Sequence, residues 1–237
     1  MGIAYEQLRA NEGTILIVAD HASNVIPTHF NGLGLPRDIL GTHIAIDIGT
    51  ADLARALSHK LKTEALLSAV SRLVIDKNRR LDQEGLVPHV SDNIEISGNR
   101  GLSAAAIAER VEAYYTPYHG AVGAAVAQRK APVLISLHSF TPEMDGVSRP
   151  WECGFLYNRD TRLASAAIAH FADRGLTVGD NEPYPGTHYN ASMDRHAEAH
   201  GHPYLMVEIR NDLLQSQADI DSWATHIANF LDVKGIV

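Results

Sequence analysis

Three runs dominated by apolar residues punctuate this chain: Thr14–Ala19, Pro132–Leu137 and Tyr204–Ile209. They are rich in Ile, Val and Leu and do not alternate with polar residues, which predicts strands buried on both faces. Between them, apolar positions fall at helical spacing. Ala51, Leu53, Ala54, Leu57 and Leu61 mark a helix over 49–61. Ser103 opens a longer helical pattern, with Glu109 and Glu112 on one side, running to about Lys130. Pro117 predicts a bend within it. Further helices are expected over 163–174 and 220–231. Weaker strand signals lie within Ala65–Val70, at Leu73–Ile75, at Cys153–Tyr157 and at Leu176–Val178. The stretches 80–101 and 179–189 hold several glycines and prolines without a clear period and read as loops. Loops that long in a compact domain tend to be binding loops or lids.

Strands alternating with helices predict an α/β fold: three layers, α/β/α, around a mixed, mainly parallel sheet. No repeat or linker divides the 237 residues, so one domain over 1–237 is expected. In such sheets the ligand crevice forms at the carboxyl ends of the strands.

Composition narrows the possibilities. Twenty Lys and Arg against 28 Asp and Glu give a net charge of −8, and there is no basic run, which argues against a nucleic-acid surface. An apolar stretch of spanning length is absent from the sequence, so no membrane segment is expected. The first eleven residues do not form a charged region followed by an apolar run, and they predict no secretory signal. The single cysteine, Cys153, excludes an internal disulfide scaffold and suits a cytoplasmic protein. Cys153 also has no adjacent cation to favour its thiolate.

Thirteen histidines are present, and position singles out two of them. His21 and His138 each sit at the end of a predicted buried strand, and Glu208 lies near the end of a third. Singly, each histidine also reads as a strand-end residue bonded to a loop carbonyl, and Glu208 as an ion-pair partner of Arg210. Together, two imidazoles and one or two carboxylates at a crevice suit a hydrolytic zinc site with an open position for water. Asn99 and Arg100 read as a solvated loop, His119 as a packed and hydrogen-bonded histidine. His196, His200 and His202 read as a solvated face, with His196 as the one that could turn to the crevice. No G-x-S-x-G surrounds any serine, and Gly32-Leu-Gly34 lacks dinucleotide-site spacing.

The chain resembles the N-formylglutamate amidohydrolases, whose fold is similar to that of the zinc carboxypeptidases. The resemblance is carried by Asp20-His21-Ala22-Ser23-Asn24 with Ile26-Pro27, by Ser71 to Asp76 with Asn78-Arg79, by Leu137-His138-Ser139-Phe140, and by Val207-Glu208-Ile209-Arg210. These pieces occur in the family's order and span about residues 14–212. The resemblance implies a zinc-exopeptidase-like fold and a metal-dependent amidohydrolase that cleaves the N-formyl amide of an amino acid. It makes His21 and His138 ligands of a divalent metal, with zinc expected. The family's first histidine opens an H-x-x-E pair, and here Asn24 stands in place of the glutamate. Asp47 is the other candidate third ligand, and it also reads as a helix N-cap or a buried partner. Ser136 stands two residues before His138, where the family often has aspartate. Glu208 matches the general base and acid, and Asn78 with Arg79 matches a pair that holds the substrate carboxylate. The planar fork of arginine suits a carboxylate, so Arg72, Arg149 and Arg210 are further candidates for substrate binding. The implied partner is a small-molecule N-acyl amino acid. The oligomeric state, the acyl group and the side-chain preference are open at this point; the alternatives are a hydrolase of the same fold acting on another acyl-amino acid or a cell-wall peptide amide, and a metal-free protein that binds an acidic metabolite.

Overall fold

The computed structural model describes residues 3–9 and 13–236. Parts of the polar N-terminal stretch therefore lie outside the described residues. In chain order the strands are β1 (Tyr5–Leu8), β2 (Ile15–Ala19), β3 (Glu64–Ser68), β4 (Val90–Ser91), β5 (Ile94–Glu95), β6 (Val133–Phe140), β7 (Glu143–Met144), β8 (Val147–Ser148), β9 (Cys153–Leu156), β10 (Val178–Asp180) and β11 (Tyr204–Arg210). The helices are α1 (Thr50–Leu61), α2 (Ala104–Arg110), α3 (Thr116–Ala127), α4 (Arg162–Ala172), α5 (Gly186–Tyr189), α6 (Ala191–His196) and α7 (Gln217–Val233).

Seven strands form one sheet in the order β1-β3-β2-β6-β11-β9-β10. Its centre is parallel: β3, β2, β6 and β11 run together, while β1 is antiparallel to β3 and β9 to β11. The two apolar faces belong to different helices. Ile15, Ile17 and Ala19 pack with α1, α4 and α7, while Leu16 and Val18 pack with Tyr118, Val122 and Val126 of α3 and Met193 of α6. Burial on both faces explains why the central strands read as mainly apolar runs without alternation. The two-residue hairpins β4–β5 and β7–β8 turn through Asp92-Asn93 and Asp145-Gly146, all at positive φ. No helix among the described residues is long and apolar enough to cross a membrane.

Several expectations need correction. Leu73–Ile75 is fully buried but forms a turn, with the Val74 amide bonded to the Ser71 carbonyl. Its side chains fill a separate apolar cluster with Leu33, Ile44 and Tyr114, so its hydrophobicity reflects packing and not strand pairing. β6 does not stop at Leu137; it continues through His138 to Phe140, paired with β11. The last weak strand lies over Val178–Asp180, two residues later than expected, and 186–189 is a short helix within the expected loop. Polar β1 and the helix α6 were not anticipated. The long helical pattern stays helical from Ala104 to Ala127 but changes type: a π-helical turn at Val111–Tyr115 lies between α2 and α3, just before Pro117, which has no N–H to give the ladder.

α3 and α6 are joined by a buried pair of imidazoles. His119 Nε2 donates to the Lys77 carbonyl at 3.0 Å, which leaves its Nδ1 to accept from His196 Nε2 at 2.9 Å. Burial pushes His119 down to about 3 and His196 down to about 4. Both are neutral in the folded protein but titrate near 6.5 when unfolded, so their contribution to stability is present above pH 6.5 and is lost as pH falls. The stability advantage of the native chain over His119→Gln should therefore shrink as metal-free protein is unfolded in denaturant at pH 7, 6 and 5. An advantage that stays constant or grows across that window contradicts the neutral pair.

Candidate metal centre and active-site cavity

Where the apolar alternation of three neighbouring strands ends, polar side chains take over on the α3 face. Leu16 and Val18 lead to Asp20, Leu134 and Ser136 to His138, and Tyr204 and Met206 to Glu208. The pairing sets Glu208 directly opposite His138. His21, at the end of β2, accepts the Asp47 amide on its carbonyl oxygen at 3.1 Å, and this bond pulls the loop before α1 over the strand end. Gly49 completes that turn at φ +81°, where a Cβ would lie 2.5 Å from Leu214 Cβ.

The result is a shared carboxylate. Asp47 Oδ2 receives His138 Nδ1 at 2.7 Å and His21 Nδ1 at 3.1 Å. One ligand atom each from His21, Asp47 and His138 lies within 4.8 Å of the other two. His21 Nε2 faces a second carboxylate, Asp76 Oδ1, at 2.7 Å. Burial and Arg72 work against a charge on His21, yet Asp76 and Asp47 hold its pKa above the ordinary value. His138 is raised further, against burial, by Asp20 and Asp47. Asp20, Asp47 and Asp76 are held well below the usual carboxylate range, against burial, chiefly by the two imidazoles.

The donor set fits a dication. Asp20, Asp47, Asp76 and Glu208 are all buried, while the cations packed among them are Arg72 and Lys77. Arg79 adds a third cation, its Nε 3.9 Å from Asp76 Oδ2. With the imidazoles neutral and Glu208 ionised, four carboxylates against three cations leave one uncompensated negative charge out of contact with water. Such a group must take up protons or bind a cation. Three N/O donors with carboxylates behind the imidazoles match a hydrolytic zinc site and its outer shell.

Around this cluster lies a cavity of about 220 Å³, lined among others by His21, Asp47, Arg72, Asp76, Asn78, Arg79, His138, Tyr184, Tyr189 and Glu208. The hairpins contribute Asp92 and Met144 to its walls. Glu208 Oε2 has no hydrogen-bond partner among the described residues. Burial pushes this carboxyl up to about 7. Arg79 stacks on Tyr189 at 4.6 Å and donates to the His188 carbonyl, while its Nε is buried without a hydrogen-bond partner among the described residues. Asn78 is partly committed: its amide donates to the Tyr189 carbonyl and accepts the Ser192 N–H. Arg72 bonds Asp76 at 2.9 Å and Asp47 at 3.4 Å, so its charge goes mainly to the metal-side carboxylates.

Other candidates are placed elsewhere. Asn24 donates to the Leu40 carbonyl at 2.8 Å and does not line the cavity; the carboxylate beside both imidazoles is that of Asp47. Asp47 does not cap α1 either, since no side chain bonds the α1 amides. Arg149 lies behind the cavity wall, bonded to the Tyr184 hydroxyl and Thr141 and stacked on the Tyr184 ring. Arg210 pairs with Asp212 and turns to the carbonyls of Pro150 and Trp151. Asn99 is buried, not solvated: it donates to Leu73 and Pro88 carbonyls and accepts from Arg110. Arg100 remains exposed beside Glu95. His196 packs on His119, away from the cavity, and burial pushes the Cys153 thiol up to about 12. Sequence reading gave no role to Asp20, Asp76, Lys77 or Tyr184. The only available signals were Asp20 beside His21 and Asp76 two residues before Asn78.

The profile of the N-formylglutamate amidohydrolase family matches residues 13–215. Among solved structures, a gene product of Agrobacterium tumefaciens is 34% identical, with a TM-score of 0.93 over 98% of this chain and 94% of that one. N-formylglutamate amidohydrolase from Ralstonia eutropha is 20% identical, with a TM-score of 0.72 over 98% of this chain and 100% of that one, a likeness of fold. A bacteriophage poly-gamma-glutamate hydrolase shares the fold more distantly, at 13% identity and a TM-score of 0.51 over 100% of this chain and 93% of that one. None of the curated proteins matches. The family match spans the strand ends that carry His21, His138 and Glu208, and the chain belongs to the N-formylglutamate amidohydrolase family, hydrolases of amide bonds.

Proposed function

We propose that this protein hydrolyses the N-acyl amide of an acidic amino acid, with N-formylglutamate as substrate and formate and glutamate as products. The observation that carries the reading is one cavity with two opposed capabilities. A buried, unpaired carboxylate, Glu208, stands beside the His21, Asp47 and His138 donors, and the Arg79 guanidinium lines the same cavity, its Nε 3.9 Å from Asp76. A volume of about 220 Å³ suits a small acyl amino acid and not a large ligand.

On this reading Arg79 grips the substrate carboxylate and Asn78 adds its remaining amide N–H. Fixing that end orients the amide across the cavity toward Glu208. A dication held by His21, Asp47 and His138 would supply Lewis acidity, lowering the pKa of water to about 7 and drawing charge from the carbonyl oxygen. Glu208 takes a proton from the attacking water and returns it to the departing nitrogen as the C–N bond breaks, leaving formate and the free amine. Arg72, at the cavity wall, adds positive potential where the carbonyl oxygen becomes negative. Burial around the cluster keeps competing water away from these charges.

The test is formate release from N-formylglutamate, set beside acetyl and succinyl glutamate and N-formyl neutral amino acids. The account predicts the formyl acidic substrate to be fastest. Release from every panel member at background level overturns it. Glu208→Gln should lower kcat by 10²–10⁴-fold while zinc content stays unchanged, and a variant with full turnover contradicts the assigned base. Glu208 must be ionised to accept a proton, and its pKa of about 7 lies above the ordinary value because of burial. A dication draws it down, so the acid limb of kcat/KM at saturating metal should have its midpoint below pH 7; a profile that rises toward acid contradicts this.

Arg79→Lys retains a charge but loses the fork, and should raise KM by about tenfold or more with a smaller change in kcat. An unchanged KM places the carboxylate elsewhere.

A further inference from the structure

Two buried polar atoms behind the metal-side cluster lack hydrogen-bond partners and face one another. Asp20 Oδ2 and His138 Nε2 lie 3.7 Å apart, and neither has a hydrogen-bond partner among the described residues. Their chemistry is complementary, an acceptor against a ring N–H donor. Buried groups of this kind are almost always satisfied in folded proteins. The other oxygen of Asp20 is fixed, since Oδ1 accepts the Tyr118 hydroxyl at 2.6 Å. Lys77, fully buried, donates to Ser68 Oγ at 2.8 Å, and its Nζ lies 5.7 Å from the centre of the Tyr118 ring; it contributes positive charge to the same compartment.

We propose that Asp20 is the positioning residue for His138. It accepts the Nε2 proton, fixes that tautomer, and so turns Nδ1 toward Asp47 and a bound metal. Asp76 stands in the same relation to His21. The two imidazoles are therefore oriented by separate carboxylates while sharing Asp47. Ser136, two residues before His138 on its own strand, cannot provide the charge, and its hydroxyl is buried without a partner among the described residues. The adjacent strand supplies the carboxylate instead, because Val18 pairs with Ser136 and the next residue on that face of each chain is Asp20 and His138. Carboxylates behind ligand imidazoles raise ligand basicity and hold ring orientation.

The inference rests on the proposal that His21, Asp47 and His138 bind a divalent metal. Its test is zinc affinity by competition with a chromophoric chelator, joined to the ¹⁵N and Nε2–H signals of His138 in zinc-loaded protein. Native chain should bind one zinc, with His138 protonated at Nε2. Asp20→Ala should bind zinc about 10–100-fold more weakly and should lose or displace the His138 Nε2–H signal. Asp20→Asn and Tyr118→Phe preserve packing volume and decide the matter if the alanine variant does not fold. Asp20→Asn is expected to bind zinc more weakly with a shifted His138 signal, and Tyr118→Phe to show a smaller change in the same direction. Ser136→Ala should change neither. A role in folding alone would lower stability and leave the His138 signal in place. Zinc affinity within twofold of native in Asp20→Asn, with an unaltered His138 signal, overturns the inference and leaves the metal proposal intact. Failure of the native chain to bind zinc overturns both.

Discussion

A single carboxylate, Asp47, accepts hydrogen bonds from two buried imidazoles, and the site depends on that shared contact. The contact is electrostatically demanding. Asp20, Asp76 and Glu208 are buried within the same region, and Arg72, Arg79 and Lys77 balance only part of the charge. Ionised groups out of water need partners, or they change protonation. Here that pressure raises Glu208 and both imidazoles and depresses the three aspartates. A cluster so poised is expensive as structure alone, which is a reason to regard it as functional.

The fold makes this assembly possible by how its central strands end. Each of β2, β6 and β11 presents apolar residues to α3 and α6 along its length and a polar residue at its carboxyl end. Three such ends lie side by side because the strands are adjacent and parallel. The segments that supply Asp47, Asp76 and Arg79 then close over them. One is held by the Asp47–His21 backbone bond, and the other by His119 on the Lys77 carbonyl and by Asn78 on the chain near Tyr189. Rigid strands thus carry His138 and Glu208, while braced loops carry the groups that surround them.

The sequence exposes the parts of this arrangement that follow from burial. Thr14–Ala19, Pro132–Leu137 and Tyr204–Ile209 read as strands because both their faces are covered, and the α/β class follows from their alternation with helices. Leu73–Ile75 misleads for the same reason, since burial in a side cluster produces the same apolar run without a neighbouring strand. His21, His138 and Glu208 can be singled out because they interrupt strand ends. Asp47 and Asn24 cannot be separated by pattern; the direction of the Asn24 side chain toward Leu40 is a property of the folded loop. Asp20 and Asp76 acquire meaning only through distance to an imidazole, and no spacing in the chain encodes that. Arg149 and Arg210 look like carboxylate receptors until their existing partners, Tyr184 and Asp212, are seen.

In the proposed mechanism, His21, Asp47 and His138 hold the metal on which amide hydrolysis depends. The most direct measurement is stoichiometry and activity together: zinc titrated into chelator-treated native protein and into His138→Ala, each followed by elemental analysis and formate release. The account predicts one zinc per native chain, with activity returning in proportion to zinc bound. It predicts neither uptake nor activity in the variant. Full turnover by metal-free native protein, or zinc-dependent turnover undiminished in His138→Ala, would contradict it.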